Sequence, residues 1–225
     1  MNKILYILII VSLCLLILPN LIISQYINYK FSNWLSRELE ISHIRFNFPN
    51  KILIEDISIK NDNFYKYENT FEADKIYIDL NLESYFFDNL KIINEIIFVN
   101  PILYLEIIEK KDVDNSDNVY YTDNLGIADK ISQNIPDKVW PKKKIDKNFV
   151  ILKANIENIK TFILSSSLKN EFKFNLNDMK FNDIGNIKEG RHYKDLIKII
   201  YFKILSDNND VNLDKLLKDV YKKNS

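Results

Sequence analysis

Residues 75–83 read Lys-Ile-Tyr-Ile-Asp-Leu-Asn-Leu-Glu, and this stretch decides the fold. Its apolar members Ile76, Ile78, Leu80 and Leu82 alternate with Tyr, Asp and Asn. Successive side chains of a β-strand point to opposite faces, so strict alternation predicts a half-buried strand with one apolar face.

Similar patterns dominate residues 41–108 and return in residues 149–184. Two β-branched runs, Lys51–Ile59 and Ile92–Leu105, are bounded by turn-forming residues. The second run contains Leu103 and Leu105, and its Pro101 marks a strand start or an edge position because proline cannot donate to a ladder. The sequence therefore predicts two β-rich regions, which form one domain or two small lobes.

The tail changes to a helical period. Residues 193–205 are apolar at helical spacing, and a second stripe follows in residues 213–221. Asp210 or Asn212 is the expected cap of the second helix. We therefore predict a helical hairpin laid on a sheet.

The β-rich regions are joined by a polar connection, residues 109–148, with one expected helix between Asp123 and Ile135. The lysines at 142–144 are read as a solvated loop rather than a lipid-binding patch. Ser84–Asp88 is expected to be a single helical turn that packs its aromatics under the sheet.

The chain begins with an almost unbroken apolar run from Ile4 to Ile23. As a helix it would span about 30 Å, the thickness of the hydrocarbon core of a bilayer. The alternative is a cleaved signal peptide, but Ile22 stands where cleavage requires a small residue. We expect an uncleaved anchor, and place Tyr26, Tyr29 and Trp34 at the membrane interface. Charges on both sides of the run leave its orientation open.

Composition excludes several classes of protein. Hydrophobic residues make up 47% of the 225 residues, which is typical of a folded chain rather than a disordered one. Lys and Arg (31) balance Asp and Glu (31), which argues against nucleic acid as a partner. A single cysteine provides neither a disulfide framework nor a thiolate metal site.

No motif for catalysis is legible. His43 and His192 are far apart and lack neighbouring ligands at metal-binding spacing. The three glycines are scattered singly, which excludes a phosphate-binding loop, and Ser165–Ser167 lacks the glycines of a nucleophile elbow. We expect no enzymatic activity, no catalytic residue, no metal and no cofactor.

The order of features resembles the N-terminal region of AsmA-like envelope proteins. The similarity covers residues 1–108, and Leu152–Gly185 looks like a further pair of strands of the same type. The segments that carry it, after the apolar run, are Leu35–Ile41, Ile52–Ile59, Phe71–Leu80 and Ile93–Pro101.

The resemblance implies a single-pass inner-membrane protein with its body in the periplasm. Long relatives form a curved β-sheet groove that carries phospholipid tails between two membranes. This chain is short, so we do not expect it to bridge membranes directly; it would take lipid at the inner membrane, join an oligomer or a longer partner, or merely retain the fold. The family offers no catalytic motif.

The expected fold class is α+β: a transmembrane helix, a curved and mostly antiparallel sheet, and a C-terminal helical hairpin. We divide the chain into an anchor (1–40), a first β region (41–108), the polar connection (109–148), a second β region (149–190) and the C-terminal helices (191–225).

Two functions fit these features. The first is phospholipid handling in envelope biogenesis, with acyl chains on a groove lined by Ile76, Ile78, Leu80, Leu82, Leu103 and Leu105. The second is a membrane-tethered scaffold without lipid cargo, whose helices cover the apolar face while an edge strand or the polar connection binds an envelope protein.

Overall fold

The structure is a computed structural model that describes residues 24–47, 49–111, 119–127, 147–187, 191–196, 199–200, 203–204 and 211–221. The run Ile4–Ile23, most of the helix predicted between Asp123 and Ile135, and the lysines at 142–144 lie outside the described residues. Within them, no helix is both long and apolar enough to cross a bilayer.

One curled, mixed sheet of eleven strands forms the body of the described protein. The strands are β1 Leu39–Asn47, β2 Lys51–Lys60, β3 Asn69–Leu80, β4 Lys91–Val99, β5 Ile102–Lys111, β6 Val119–Asp123, β7 Phe149–Glu157, β8 Ile159–Ser165, β9 Asn170–Leu176, β10 Met179–Gly185 and β11 Arg191–His192.

The ladders join ten of these strands into six lanes, each a position across the sheet that holds one strand or two strands end to end, and the short β11 pairs with β10 beyond the last lane. β1, β2 and β3 are antiparallel neighbours, and β3 then pairs with both β4 and β5, which follow each other in one lane. The next lane contains β7 and β8, and the last contains β9 and β10. β6 lies beyond β3 in the same lane, because both pair with β5.

The second β region belongs to the same sheet as the first. β7 pairs with β4, and β8 with β5, and both ladders are parallel. The described residues therefore build one sheet rather than two lobes. The predicted curved sheet is confirmed, and most of its ladders are antiparallel, but the parallel ladders that join the two halves were not anticipated.

Aromatic contacts support the curl of the sheet. The Trp34 ring, which precedes β1, lies 6.3 Å from the ring of Tyr193, and Tyr193 lies 5.7 Å from Phe149 at the start of β7. Three lanes of the sheet lie between β1 and β7. The sheet must therefore curve for residues beside its first lane to meet its fifth.

Each lane carries apolar residues at positions i, i+2, i+5 and i+7, except that Thr161 holds the last of these positions in the lane of β7 and β8. The alternation of inward-facing and outward-facing residues therefore shifts by one residue in the middle of each lane. The two residues in the break are mostly polar and exposed. The ladder registers align the six breaks side by side. The four-residue patterns begin at Leu39, Ile52, Phe71, Ile96, Ala154 and Phe174.

We call the row of aligned breaks the seam, and it consists of Ser42, Asp56, Asp74, Asn100, Asn158 and Asn177. Asp56, Asn100 and Asn158 have left-handed φ angles of 50°, 51° and 55°. Asn and Asp tolerate this conformation better than most residues because their short side chains form local hydrogen bonds. The left-handed residue lets two consecutive side chains face outward, so apolar residues on both sides of it stay on one face.

Helices flank the sheet. Residues 24–35 form α1, Leu82–Phe87 forms α2 between β3 and β4, and Val211–Tyr221 forms α3; further helical residues occur at 195–196, 199–200 and 203–204. The apolar stripe of α3 is buried, with Leu213 0% and Leu217 1% exposed. A C-terminal helix is therefore confirmed. Asn212 lies inside α3 and is not its cap, and Asp210 lies outside the described residues.

Three expectations about individual segments of the chain are wrong. Leu82 does not continue the strand, because β3 ends at Leu80 and Asn81 caps α2 by accepting a hydrogen bond from the Ser84 amide. The aromatics of α2 are exposed rather than packed under the sheet. The connection 109–148 also contains the strand β6, which its polar composition hid.

Candidate functional site

The main candidate for a functional site is the apolar face of the sheet, where the hydrophobic residues are continuous rather than scattered. The i, i+2, i+5, i+7 pattern of the six lanes builds four rows across the sheet, two on each side of the seam. We call this surface the inner face. Thr161 is its polar exception: its side chain is fully buried and its hydroxyl has no hydrogen-bond partner among the described residues.

Burial is uneven across the inner face. Under β5 and β8 the side chains are fully covered, since Leu105 and Ile163 are both 0% exposed. On β2, β3 and β4 the face is partly open at Ile54, Ile78 and Phe98, which are half-buried, while other residues of the same strands, such as Ile57, Ala73 and Ile96, are buried. An apolar ligand would therefore meet the inner face on β2–β4 first.

The predicted groove residues divide along this gradient. Ile78 and Leu80 are half-buried on β3, and Ile76 is 6% exposed in the next row. Leu103 is 8% and Leu105 0% exposed, so both belong to the buried core, as Ile76 does. Leu82 leaves the sheet for α2. The structure thus brings Ile76, Ile78 and Leu80 together on one strand and separates Leu82 from them.

The predicted interface aromatics lie on or beside α1. Tyr26 and Tyr29 are 60% and 66% exposed, and the Lys30 ammonium lies 5.6 Å from the Tyr26 ring centroid. Trp34 is different: it packs against the buried core and contacts Phe31 and Tyr193. Tyr26 and Tyr29 remain available to a bilayer surface, whereas Trp34 is used largely inside the protein.

A buried polar cluster closes one end of the sheet. Asn124, 2% exposed, donates from its side-chain amide to the Thr70 hydroxyl (3.2 Å) and to the Tyr104 carbonyl (2.8 Å), and its side-chain oxygen accepts from the Glu106 amide (3.0 Å). The Arg37 guanidinium donates to the Asn124 carbonyl at 2.5 Å. These bonds join β3, β5 and the turn that follows β6.

Arg37 and Glu106 hold the loop between β2 and β3. Arg37 forms an ion pair with Asp62 at 3.3 Å, and the Glu106 carboxylate accepts the backbone amides of Lys66 and Tyr67 at 2.6 and 3.2 Å. Burial lowers the pKa of Arg37, and the nearby Asp62 partly opposes this effect. A buried charge is stable only with such partners. The role of this cluster is therefore to attach the loop between β2 and β3 to the rest of the sheet.

A polar cavity of about 550 Å³ lies beside this cluster and is lined in part by Arg37, Lys60, Tyr65 and Tyr67. Burial raises the pKa of Tyr65 to about 12 and also raises that of Tyr67. The cavity also carries Glu38, Asp62 and Glu68, so its charges roughly cancel. This mixed lining favours neither an anion nor a cation.

The two histidines do not come together. His43 is exposed on β1 beside the seam, and His192 on β11 stacks on Tyr193 with ring centroids 4.6 Å apart. Among the described residues, no group of three His, Cys, Asp or Glu side chains is arranged to hold a metal ion.

Comparison of the chain with protein-family models, curated proteins and solved structures finds no match. The resemblance to AsmA-like proteins therefore rests on the segments quoted above. The structure shows a curled sheet with one apolar face.

The sequence reasoning missed two parts of the site. The i, i+2, i+5, i+7 spacing recurs in all six lanes, but within a single segment it cannot be told from plain alternation. The partners of Asn124 are 18 to 87 residues away along the chain and those of Glu106 are 18 to 40 residues away, so no local pattern indicated them.

Proposed function

We propose that this protein is a membrane-anchored, AsmA-like protein of the cell envelope that handles phospholipid through the inner face of its sheet. Its body would lie in the periplasm, and its role would be in lipid transport and envelope biogenesis. The observation that carries the proposal is the set of four apolar rows on one face of a curled sheet, half-open on β2–β4.

The chemistry of the inner face suits an acyl chain. Its half-buried members, such as Ile54, Ile78 and Phe98, are aliphatic or aromatic and offer no charge. Burial of apolar surface stabilises by about 25 cal/mol per Å², or about 0.8 kcal/mol for each methylene group. A chain of many methylenes therefore gains binding energy on such a face without any specific hydrogen bond.

The decisive experiment is native mass spectrometry of the full chain extracted from membranes under mild conditions. We expect co-purified phospholipid, and expect Ile78→Glu to lose it because a carboxylate would lie among the apolar rows. Tyr77→Glu is the matched control, since Tyr77 is the adjacent residue and is 41% exposed. Absence of lipid from the unmodified chain, or equal loss from both variants, would contradict the proposal.

A membrane-tethered scaffold is the second candidate, and the burial gradient favours it. Leu105 and Ile163 are already fully covered, and the stripe of α3 belongs to the same buried cluster. If the chain itself covers the rest of the face, an edge strand such as β1 is left to bind an envelope protein or a second copy. Crosslinking in intact envelopes that recovers a stoichiometric protein partner, together with lipid-free mass spectra, would support the scaffold.

A further inference from the structure

We infer that two copies of this chain associate through the free edge of β1, in an antiparallel pair centred between Ser42 and His43, so that one sheet continues across both copies. The inference names the partner that the scaffold function leaves open, and it does not depend on whether the inner face carries lipid. Strand β1 is the first lane, and among the described residues it pairs with β2 alone. An unpaired edge is a template for a further strand.

The backbone of β1 directs alternate residues to its free edge. The Glu38 carbonyl accepts an amide at the end of β2, which turns the next residue, Leu39, away from β2. The Leu39 amide donates instead to the Ser32 hydroxyl at 2.9 Å, so the end of α1 covers the first position of the edge. Ile41 and Ile44 share the inner face with Leu39, and residues that share a face of one strand direct their backbone groups to the same edge. Their N–H and C=O groups are therefore placed to meet a second strand.

The apolar pattern of β1 is the same in both directions along the strand. The spacing i, i+2, i+5 and i+7 is unchanged when it is reversed, and β1 carries Leu39, Ile41, Ile44 and Phe46 at these positions. In the centred register, Leu39 of each copy lies opposite Phe46 of the other copy, and Ile41 lies opposite Ile44. A shift by one residue in either direction would place all four side chains opposite outward-facing ones, so burial selects the centred register.

Charges on the outward-facing side of β1 fit the same register. It places Glu40 of each copy opposite Arg45 of the other copy, once on each side of the two-fold axis. Within one chain the Glu40 carboxylate lies 3.4 Å from the Lys60 ammonium, and the Arg45 guanidinium lies 2.8 Å from the Glu55 carboxylate. The side chains of Glu40 and Arg45 nevertheless remain 54% and 64% exposed. Opposite charges in directly facing positions stabilise a strand pair, so β1 is complementary to itself in charge as well as in apolar pattern.

The exposure of Phe46 is the burial that the pair would complete. Phe46 occupies an inner-face position but is 46% exposed, whereas Leu39 is 5% exposed. Because the end of α1 already covers the edge beside Leu39, the ladder of the pair spans residues 40–45, and each Phe46 ring meets Leu39 and the end of α1 of the other copy. Each copy has one β1 edge, so the two-fold contact closes at two copies.

Disulfide crosslinking tests the register. The full chain with Cys14→Ser is used, and copies that carry Ser42→Cys are reconstituted together with copies that carry His43→Cys in phosphatidylcholine vesicles before mild oxidation. Directly opposite residues of antiparallel strands have Cβ atoms about 4.5–5.5 Å apart, which a small adjustment brings within reach of a disulfide. Asp74→Cys is the matched control, because Asp74 is an exposed residue of the same seam but lies two lanes inside the sheet.

We expect a mixed disulfide between positions 42 and 43 as the main crosslinked product, while copies with Asp74→Cys stay monomeric. Monomers at all positions, or equal crosslinking of the control, would overturn the inference.

Charge reversal tests the same contact in a second way. Arg45→Glu leaves two acidic residues at these positions of β1 and Glu40→Lys leaves two basic ones, so each variant faces like charges when it pairs with itself. With each reversal placed in both cysteine backgrounds, we expect crosslinking of either variant alone to fall about tenfold. An equimolar mixture of the two should recover it, because both facing pairs are then of opposite charge and both variants are folded.

A mixture that does not recover would overturn the inference. Phospholipid in native mass spectra of a chain that does not crosslink would refute the β1 contact and leave the lipid-handling function intact. A crosslinked dimer without lipid would do the reverse.

Discussion

The side-chain amide of Asn158 donates to the side-chain oxygen of Asn100 at 3.1 Å, and both residues adopt left-handed φ angles. They occupy equivalent positions on neighbouring lanes that run parallel. Asn100 also donates to the Asp74 carboxylate at 2.7 Å, and the Asn158 backbone amide donates to the Asp178 carboxylate at 2.9 Å. Hydrogen bonds thus connect the seam across four lanes.

The first prediction concerns this pair. Asn100→Ala should lower the free energy of unfolding by about 2 kcal/mol, since it removes two hydrogen bonds and forces a Cβ-bearing residue without local bonding into the left-handed region. Asn100→Gly should cost less, because glycine adopts that conformation freely. Thermal unfolding of the full chain in detergent, followed by circular dichroism, measures the difference. Equal losses for the two variants would show that backbone strain plays no part.

A second prediction addresses the polar cluster at the end of the sheet. Asn124→Ala leaves the buried Glu106 amide and the Tyr104 carbonyl without their partner. An unsatisfied buried group costs about 1–3 kcal/mol, so the loss of stability should be about 2–4 kcal/mol. Asn175→Ala, on the exposed side of β9, serves as the control and should change stability little. The same unfolding measurement applies, and similar values for both would contradict the role of Asn124.

The third prediction tests the gradient of burial on the sheet. Leu105→Ala should destabilise by about 2–5 kcal/mol, because Leu105 is 0% exposed and its truncation leaves a cavity. Leu152→Ala makes the same chemical change at a residue that is 39% exposed and should cost well under half as much. Chemical denaturation midpoints of the two variants would decide, and a reversed order would mean that Leu105 is not part of the core.

The fourth prediction is a loss of stability in alkali. Burial raises the pKa of Tyr65 and of Tyr104 to about 12 in the folded chain, from 10.0 for an unperturbed tyrosine. Between these values the unfolded chain has released protons that the folded chain still binds, so stability falls as pH rises. The contribution of these tyrosines to the free energy of unfolding is fully present below about pH 10.

Tyr104→Phe provides the check on this prediction. It removes one of the hydroxyls whose pKa is raised by burial, and with it the hydrogen bond to Glu72 at 3.1 Å. The fall in the free energy of unfolding between pH 10.0 and about 12 should therefore be shallower in the variant. Urea titrations at a series of pH values measure the slope, and an unchanged slope would remove Tyr104 from the explanation.

Local patterns predicted the strands and failed at their connections. The alternation around Ile76 and Ile78 correctly indicated a strand with one apolar face, because side-chain period depends only on neighbours in sequence. The parallel pairing of β4 with β7 depends on segments separated by the long stretch 112–148, and no local signal specifies such a partner. Strand β6 was missed because Val119–Asp123 lies among polar residues.

Burial could be predicted only where composition determines it. The stripe from Leu213 to Val220 lies on one helical face, and its burial was anticipated. The exposure of Phe86 and Phe87 was not anticipated, since large hydrophobic side chains are expected in the interior of a folded protein. Such departures from the expected pattern are also where function is most often found.

The seam makes the protein more sensitive to the length of each strand than to the identity of the residues in the break. Deletion of Asp56 alone would turn Ile57 and Ile59 to the opposite face, exposing two isoleucines and replacing them with their polar neighbours. Because the breaks of all six lanes are aligned, each lane has to conserve the same count of residues to remain compatible with its neighbours. Insertions and deletions within the strands should therefore be rarer in natural variants than substitutions at the seam.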